Sequence, residues 1–509
     1  MMKKIVPIMT ILFISSCGLS SGISSLDSDG LPVKGTLSGN EISLFPKSQD
    51  GFIGDPMPFF DGESINVYYL LEEHNRSAVG FHPWSLLTTS DLVTFEDVGV
   101  VIPYEKDPAS PDLALGTGSV VKDSQGLYHA FYTGYNGTGN LDYFEKIQHA
   151  TSTDKINWTK IPADGFYGGH NDFRDPYVLF MESEGLYWML ITARDAGSGV
   201  IKLYKSSNLV SWTYDSVFFR NDSGTYNMEC PTLIKHGQYW YLTYSEQGAQ
   251  RVTRYRYRSS LTEGSWIKPS IDFFDGVGTY AGRLESAWDN LYFFGWQAVK
   301  QFDYDGGNFD WGGNLVTHQL IQKTNGELYP KPTDQAIDSL NRQVFYPIRQ
   351  IESSVTTIKT TTSKREFVFS GTPSYESLIF DNLEAHSMRL SFELSSSNAL
   401  DQFGMTFSVK NNDNYGLTNI LFNRQTQKLE FYNVGPSTFG TSLPQASVPL
   451  DITSNQNIRI DVLHQGECLT VYVNGQSCLS TRMYQKSGLP FGFFSLNSAI
   501  AIKEVAFYE

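Results

Sequence analysis

The segment Thr88-Thr89-Ser90-Asp91-Leu92-Val93-Thr94-Phe95 joins small polar residues, an Asp-Leu pair and an aromatic ring, and this theme returns along the chain. The returning segments are Thr151-Ser152-Thr153-Asp154 up to Trp158, Lys205-Ser206-Ser207-Asn208-Leu209 up to Trp212, and Ser259-Ser260-Leu261 up to Trp266. Their aromatic residues follow one another at intervals of 54 to 63 residues, and helical periodicity between them is nearly absent. A repeat of about 50 to 60 residues with roughly four short strands is typical of a β-propeller blade.

The distance from Asp55 to Trp311 predicts about five blades, with the strand at Trp311 closing the ring. A stack of sandwich domains is the alternative, but the repeat is short for it. Near residues 340–365 Ser and Thr become frequent, and longer alternating strands follow. The sequence therefore predicts an all-β fold, a five-bladed β-propeller followed by a C-terminal antiparallel β-sandwich. The sandwich is expected to give structural support, with sugar binding as the lesser alternative.

The N-terminus has the features of an export signal. Lys3 and Lys4 precede an apolar run that ends at Ile14 and is too short to span a bilayer as a permanent helix. The following Ile14-Ser15-Ser16-Cys17 resembles the lipobox of bacterial lipoproteins, which implies that Cys17 is lipidated. An ordinary signal peptide with a chance cysteine is the alternative. Residues 18–30 are rich in Ser, Gly and Asp and are typical of a flexible tether.

We therefore expect a signal peptide at 1–17, a tether and lead-in at 18–44, the propeller catalytic domain at 45–345 and the sandwich at 346–509. No later segment is long and apolar enough to be transmembrane. The expected location is the bacterial cell envelope, facing the periplasm or the cell surface, with contact to the membrane only through the lipid anchor.

Composition argues against several partners and cofactors. The net charge of −16 argues against nucleic acid, whose binding needs clustered Lys and Arg. The nine His are scattered, so the sequence predicts no metal and no cofactor. A two-residue turn at Asn474-Gly475 places Cys478 opposite Val471 and Cys468 opposite Thr481, so a disulfide between these cysteines would need a different register. The expected partner is an oligo- or polysaccharide, and the oligomeric state is left open.

Three acidic residues stand in similar motifs, each followed by Pro within two residues and then by an apolar strand. The motifs are Gly54-Asp55-Pro56, Arg174-Asp175-Pro176 and Glu229-Cys230-Pro231. Their spacing is about two blades and then one blade, so equivalent positions bring three carboxylates to one mouth of the central channel. Retaining glycoside hydrolysis needs two carboxyls about 5 to 5.5 Å apart, and crowding separates their pKa values. For each motif alone, an ordinary Asp-Pro turn or ion pair is the alternative.

These motifs resemble those of glycoside hydrolase family 32, which contains invertases, levanases and inulinases, over most of residues 45–509. The motifs at Asp175 and Glu229 match the family fully, and the motif at Asp55 matches its Asn-Asp-Pro-Asn-Gly in part. Smaller matches are Thr117-Gly118-Ser119, Trp311-Gly312-Gly313 and Val473-Asn474-Gly475. The resemblance implies that Asp55 is the nucleophile, Glu229 the general acid/base and Asp175 the transition-state stabiliser. It also implies that Arg174 positions these groups and that Cys230 tunes Glu229.

Departures from the family motifs concern sugar recognition. Gly54 stands where the family has Asn, Met57-Pro58 where it has Asn-Gly, and Leu70 where it usually has Gln. The first expectation is therefore a retaining hydrolase of β-fructofuranosides such as fructan, sucrose or fructo-oligosaccharide. Another furanoside or ketoside, and a non-catalytic glycan-binding role, are the alternatives. The expected substrate-binding residues are Arg174, Ser119, Trp84 and Tyr280, with Phe81 and Trp296 as further sugar platforms; for each of these aromatic residues, core packing is the alternative.

Overall fold

The computed structural model describes residues 42–73, 81–248, 250–352, 354–359, 365–371, 375–384, 386–396, 402–410, 413–451, 457–484 and 488–509. The predicted signal peptide and the predicted lipidation site Cys17 lie outside the described residues. The described chain consists mainly of antiparallel strands, with a short helix, α1, at Asp334–Ser339. Within the described residues, no helix has the length and apolar character needed to cross a membrane.

The strands up to Lys331 form five antiparallel units, each the equivalent of a propeller blade. Blade I contains β1 (Phe52–Phe60), β2 (Ile65–Glu72), β3 (Trp84–Thr89) and β4 (Glu96–Ile102). Blade II contains β5 (Ala114–Lys122), β6 (Tyr128–Tyr135), β7 (Glu145–Ser152) and β8 (Thr159–Lys160). Blade III contains β9 (Arg174–Met181), β10 (Leu186–Asp195), β11 (Ser198–Ser206) and β12 (Thr213–Arg220). Blade IV contains β13 (Met228–His236), β14 (Tyr239–Glu246) and β15 (Thr253–Arg258). Blade V contains β16 (Thr279–Ala287), β17 (Asn290–Lys300), β18 (Phe309–Gln322) and β19 (Leu328–Lys331).

The first strands of the blades form a closed ring around a central channel. Each of β1, β5, β9 and β13 contacts the first strand of the next blade, and β16 contacts β1. Strand β18 pairs with β17 and also with β1, through Gly313 opposite Ile53, which joins the last blade to the first. The predicted five-bladed propeller is therefore confirmed.

The sequence repeat has a structural cause, which is one turn repeated after the third strand of the blades. In blade I the Thr89 hydroxyl accepts the backbone N–H groups of residues 91 and 92, and the Asp91 carboxylate accepts those of residues 93 and 94. The equivalent pairs are Ser152 with Asp154 and Ser206 with Asn208. Short polar side chains favour such turns because their oxygens reach backbone N–H groups two or three residues further on.

The rest of the chain forms two antiparallel sheets that pack face to face. The strands are β20 (Gln343–Val344), β21 (Ile348–Ile351), β22 (Thr356–Lys359), β23 (Arg365–Ser370), β24 (Tyr375–Asn382), β25 (Met388–Ser396), β26 (Gln402–Phe407), β27 (Thr418–Asn423), β28 (Lys428–Tyr432), β29 (Ala446–Pro449), β30 (Asn457–Gln465), β31 (Cys468–Val473), β32 (Leu479–Arg482), β33 (Pro490–Leu496) and β34 (Ala499–Tyr508). One sheet has the order β22-β23-β34-β25-β30-β31-β32 and the other the order β21-β24-β33-β26-β27-β28-β29. Between them lies an apolar core in which Phe392 meets Phe493 at a ring distance of 5.2 Å. The predicted sandwich is confirmed.

The hairpin between β31 and β32 pairs one residue further along than expected. We expected Cys478 opposite Val471 and Cys468 opposite Thr481, but Cys468 lies opposite Arg482, and Cys478 precedes the ladder. The reason is contact with the propeller, because the backbone N–H of Cys478 donates to the carbonyl oxygen of residue 274 at 3.0 Å. This bond draws Cys478 out of the pairing and lengthens the turn. Both cysteines are buried, and neither forms a disulfide bond.

Candidate active site

Each inner strand carries a β-bulge near its N-terminal end. Its register against the second strand of the blade skips two residues in all five blades. The skipped pairs are Asp55-Pro56, Gly116-Thr117, Asp175-Pro176, Cys230-Pro231 and Ala281-Gly282. Asp55, Asp175, Cys230 and Ala281 have left-handed φ values between 39° and 57°. Bulges re-aim side chains and are frequent beside active sites, and here they act at one level of the channel.

The bulges correct the expected equivalence of the three acids. Asp55 and Asp175 occupy the first bulge position of blades I and III, but that position in blade IV is occupied by Cys230. Glu229 lies one residue earlier, where blade III has Arg174 and blade V has Tyr280. The difference follows from the proline spacing, because Glu229 is two residues before its Pro and each aspartate is one. Glu229 therefore stands beside the arginine and the tyrosine rather than in phase with the aspartates.

Side chains of three other blades surround Asp55. Its Oδ2 accepts a hydrogen bond from the Thr117 hydroxyl at 2.6 Å, and its Oδ1 accepts one from the Trp296 indole at 3.2 Å. The sulfur of Cys230 lies 3.9 Å from Oδ2. Burial raises the pKa of Asp55, nearby Asp175 raises it further, and the bonds from Thr117 and Trp296 act in the opposite direction. These two donors fix the carboxyl group and stabilise its ionised form.

Cys230 connects the two aspartates. Its backbone N–H donates to Asp175 Oδ2 at 3.0 Å, and its sulfur lies beside Asp55. The Thr192 hydroxyl also donates to Asp175 Oδ2 at 3.1 Å, and the side chain of Asp175 is buried. Burial raises the pKa of the Cys230 thiol well above its ordinary value, so the group is a neutral thiol. Its close polar contacts are therefore with the two aspartates and with the Thr117 hydroxyl, 3.8 Å from the sulfur, whereas the resemblance implies a tuning effect on Glu229.

Glu229 is held by three hydrogen-bond donors. Its Oε1 accepts from Arg174 Nη2 at 3.0 Å and from the Gln247 amide at 2.7 Å. Its Oε2 accepts from the Tyr280 hydroxyl at 2.7 Å. Burial raises the pKa of Glu229 to about 7; the two aspartates add to the effect, while Arg174 and Tyr280 oppose it. A carboxyl group with a pKa near neutrality can donate and accept a proton in turn.

Arg174 links the acidic side chains around Glu229. It also bonds to Glu145 at 3.2 Å and to Asp172 at 2.9 Å, and its Nε lies 3.9 Å from Asp175 Oδ2. Burial disfavours the charge of Arg174, but the surrounding carboxyl groups outweigh it and raise the pKa of this guanidinium. The arginine is therefore permanently charged and holds four acids in one cluster.

Aromatic rings form the other side of the site and explain Gly54. A Cβ atom at Gly54 would lie 2.0 Å from the ring of Trp311. The Trp311 ring centre is 4.5 Å from that of His82 and 6.1 Å from that of Trp296. Tyr280 continues this wall, with its ring 6.0 Å from Trp296. The Trp311 indole thus occupies the space that a side chain at position 54 would need, and Gly54 fits against it.

Of the other departures, Met57 and Leu70 lie in the core, whereas Pro58 is only partly buried. Met57 and Leu70 are 2% and 3% exposed and belong to one hydrophobic cluster of blades I and II. The Met57 sulfur also accepts the backbone N–H of Gly118 at 3.0 Å. These positions therefore serve packing between blades.

Two expected substrate-binding residues lie elsewhere. Trp84 is fully buried, and its indole donates to the Gly116 carbonyl at 2.9 Å, so this ring packs between blades I and II. The Ser119 hydroxyl donates to the Pro176 carbonyl at 3.0 Å and accepts the Val178 N–H at 2.9 Å. It therefore ties β5 to β9. Packing and hydrogen bonding between blades account for both residues.

Sequence reasoning missed three contacts of the site. Thr117 belongs to the motif from which Ser119 was selected, but the bulge at residues 116–117 is what turns Thr117 towards Asp55. Glu145, at the start of β7, bonds to the arginine, and Gln247, just beyond β14, bonds to the glutamate. No motif marks these two residues, because their positions depend on how neighbouring blades meet.

Known proteins match the chain in sequence. The family described as the glycosyl hydrolases family 32 N-terminal domain matches residues 47–329. A sucrose-6-phosphate hydrolase of Escherichia coli is 28% identical over 302 residues, which cover 54% of this chain and 61% of that protein. A raffinose invertase of Escherichia coli is 26% identical over 333 residues, covering 59% of this chain and 66% of that protein. The chain thus spans about three fifths to two thirds of the length of these relatives.

Solved structures share the fold over nearly the whole chain. A fructan 1-exohydrolase IIa from Cichorium intybus in complex with 1-kestose has a TM-score of 0.68 at 15% identity, covering 93% of this chain and 98% of that chain. A β-fructofuranosidase from Bombyx mori has a TM-score of 0.67 at 17% identity, covering 92% and 93%. At these identities, the likeness shows a common fold.

Proposed function

Because the chain belongs to glycoside hydrolase family 32, we propose that it is a retaining β-fructofuranosidase with Asp55 as nucleophile and Glu229 as general acid/base. The observation that carries this proposal is the presence of two differently held carboxyl groups at one end of the channel. Asp55 faces two neutral donors, Thr117 and Trp296, that favour its ionised form. Glu229, with a pKa of about 7, is present in both protonation states near neutral pH.

The proposed reaction has two steps that use these carboxyl groups in turn. First, an Asp55 oxygen attacks the anomeric carbon, the bond to the leaving oxygen breaks, and Glu229 gives its proton to that oxygen. Second, Glu229 takes a proton from water, the water oxygen attacks the same carbon, and the bond to Asp55 breaks. The sugar is released with its original configuration. Arg174, Gln247 and Tyr280 keep Glu229 in place while its charge changes.

Asp175 is proposed to bind sugar hydroxyls and to stabilise the transition state. Its Oδ2 is occupied by Cys230 and Thr192, but its Oδ1 has no hydrogen-bond partner among the described residues. A free carboxylate oxygen accepts hydroxyl protons well, and its negative charge favours the positive charge that develops on the sugar ring. Arg174 is proposed to keep Asp175 and Glu229 at a constant separation.

The names of the relatives support a fructose-containing substrate, namely fructan, sucrose or fructo-oligosaccharide. A second candidate is the hydrolysis of another furanoside. It is favoured by Gly54, which has no side chain where the family motif has the polar side chain of asparagine. The same two-step chemistry serves both candidates, so they differ only in the sugar that the pocket accepts.

The test of the mechanism compares Asp55→Asn and Glu229→Gln with the parent on sucrose, inulin, levan and arabinofuranosides. Asp289→Asn is the matched control, because Asp289 is exposed and shares a left-handed φ with Asp55. We expect both active-site variants to lose at least 1,000-fold in kcat/KM, and the control to keep its activity. With an activated fructoside, Glu229→Gln should accumulate a sugar adduct on the peptide that contains Asp55. Full activity of folded Asp55→Asn would contradict the assignment of the nucleophile.

We further propose that the protein is exported and held at the bacterial cell envelope through lipidated Cys17. The support is the apolar run followed by Ile14-Ser15-Ser16-Cys17. Labelling with a fatty-acid analogue in cells should mark the parent and leave Cys17→Ala unmarked. Equal labelling of both would overturn lipidation at this residue.

A further inference from the structure

The joint between propeller and sandwich contains a buried cluster of three potential metal ligands. Asp275 lies before β16, His318 lies in β18, and Cys478 lies before β32 of the sandwich. The side chains of Asp275 and His318 are at most 1% exposed, and Cys478 is fully buried. One ligand atom of each residue lies within 4.8 Å of the other two. None of the three residues contacts Asp55, Asp175 or Glu229, and none is used by the proposed mechanism.

The distances approach those of a zinc site. His318 Nε2 is 3.1 Å from Asp275 Oδ2 and 3.4 Å from Cys478 Sγ. Zinc bonds of about 2.0 to 2.1 Å to nitrogen and oxygen and about 2.3 Å to sulfur, at tetrahedral angles, separate such atoms by about 3.4 to 3.6 Å. The Phe274 carbonyl oxygen lies 3.5 Å from the sulfur and already accepts the backbone N–H of Cys478, and we assign its second lone pair to the fourth position around the ion. Small shifts of the side chains thus suffice to surround one ion.

The side chains of His318 and Asp275 are each oriented by further contacts. His318 Nδ1 lies 2.8 Å from the Tyr472 hydroxyl, so that a hydrogen on Nδ1 leaves the Nε2 lone pair facing the cluster. Asp275 Oδ1 accepts the backbone N–H of Ser480 at 2.8 Å, and Thr279 donates to Oδ2 at 3.0 Å. Outer partners of this kind fix the ligands of protein metal sites.

A divalent cation fits the chemistry of the three side chains. Nε2 of His318 has one hydrogen or one lone pair, yet it faces both a carboxylate oxygen and a sulfur. A divalent ion satisfies all three atoms, and its charge is balanced by the Asp275 carboxylate and the Cys478 thiolate. This balance matters because an uncompensated charge in a buried place is costly. Thiolate, imidazole and carboxylate ligands together suit zinc.

We propose that Asp275, His318 and Cys478 bind a structural Zn²⁺ ion that fastens the sandwich to the propeller. Binding releases the thiol proton of Cys478 as the zinc–sulfur bond forms. The sequence predicted no metal, because the three ligands are far apart in the chain and come from two domains. The ion is predicted to support stability and to leave the catalytic carboxyl groups untouched.

The test uses the full chain, stripped of metal by a chelator and then titrated with Zn²⁺ or Co²⁺. We expect one equivalent to bind, with a cobalt–thiolate charge-transfer band and a higher melting temperature. Cys478→Ser is expected to lose the band. Cys468→Ser, which changes another buried cysteine of the sandwich, is the matched control and should keep it. Both variants are identical at Cys17 and Cys230, so these two residues contribute equally.

His318→Gln provides a second variant if Cys478→Ser does not fold. It retains the sulfur and is expected to weaken zinc binding at least 100-fold. A folded parent protein that binds no zinc, or a cobalt band that persists in Cys478→Ser, would overturn the proposal. Equal zinc affinity of folded His318→Gln and the parent would overturn it as well.

Discussion

Replacement of Gly54 by alanine is expected to damage stability and activity together, because the new methyl group collides with Trp311. The added Cβ would lie 2.0, 2.5 and 2.6 Å from three carbons of the indole. Carbon atoms normally approach to about 3.5 to 4.0 Å, so the ring has to move by roughly 1.5 Å. Its contacts with His82 and Trp296 oppose that movement, and Trp296 holds Asp55.

The size of the effect follows from this geometry. Overpacking of a well-packed site costs about 1 to 3 kcal/mol, and a displacement of about 1 Å at reacting groups costs about 100-fold in rate. We therefore expect the free energy of unfolding of Gly54→Ala to fall by about 2 kcal/mol. We expect kcat/KM to fall roughly 100-fold. Urea unfolding followed by tryptophan fluorescence, together with fructose release, measures both quantities.

A double-mutant cycle and a control separate this cause from a general effect of the substitution. Gly440→Ala adds the same methyl group at a position with nothing within 4 Å and should be neutral. In a Trp311→Leu background the collision is removed, so Gly54→Ala should cost much less there. The reasoning is refuted if Gly54→Ala matches the parent, or if its cost is the same with and without the indole.

Three further predictions concern pH dependence and packing. Tyr280→Phe removes a hydrogen bond that lowers the pKa of Glu229. The alkaline limb of the kcat/KM profile is set near pH 7 by loss of the proton of Glu229, so this limb should move to higher pH. An unmoved limb would contradict this role of Tyr280. Arg283→Gln removes a positive charge that lowers the pKa of Asp55, so the acidic limb of the kcat/KM profile should also move to higher pH. Profiles measured from about pH 3 to about pH 9, roughly the range of shifted carboxyl pKa values, check this prediction. Trp84→Phe should lower the free energy of unfolding by about 1 to 3 kcal/mol and leave KM unchanged, because this ring is a core residue; a raised KM would restore its interpretation as a sugar platform.

The fold and the family were accessible from the sequence because their signals are local. The turn at Thr89 and Asp91 is made by hydrogen bonds to residues two or three positions further on, so the blades that use it repeat short polar residues of the same kind. The motifs at Asp175 and Glu229 are likewise short, and the match of residues 47–329 to family 32 confirms the resemblance. Signals of this kind can be recognised in the amino-acid sequence without knowledge of the fold.

The position of each acidic residue relative to the bulge of its blade could not be predicted from the sequence in the same way. Three motifs of similar sequence suggested three equivalent carboxylates. The bulges instead place Cys230 beside the aspartates and Glu229 beside Arg174. A one-residue difference in register changes the direction of a side chain on a strand. The partner that a strand residue meets is therefore decided by pairing across the blade.

The sequence by itself thus determined the repeating blade, the order of the three acidic motifs and the sandwich that follows them, because all of these rest on contacts within a few residues. Only the tertiary structure decided which side chains meet: Thr117 with Asp55, Trp311 against Gly54, and Asp275 and His318 with Cys478. These contacts depend on closure of the ring of five blades and on docking of the sandwich. Both bring together residues that are 62 to 257 positions apart or belong to different domains. Such contacts leave no common pattern in the chain, because each partner is set by the geometry of the strand on which it lies.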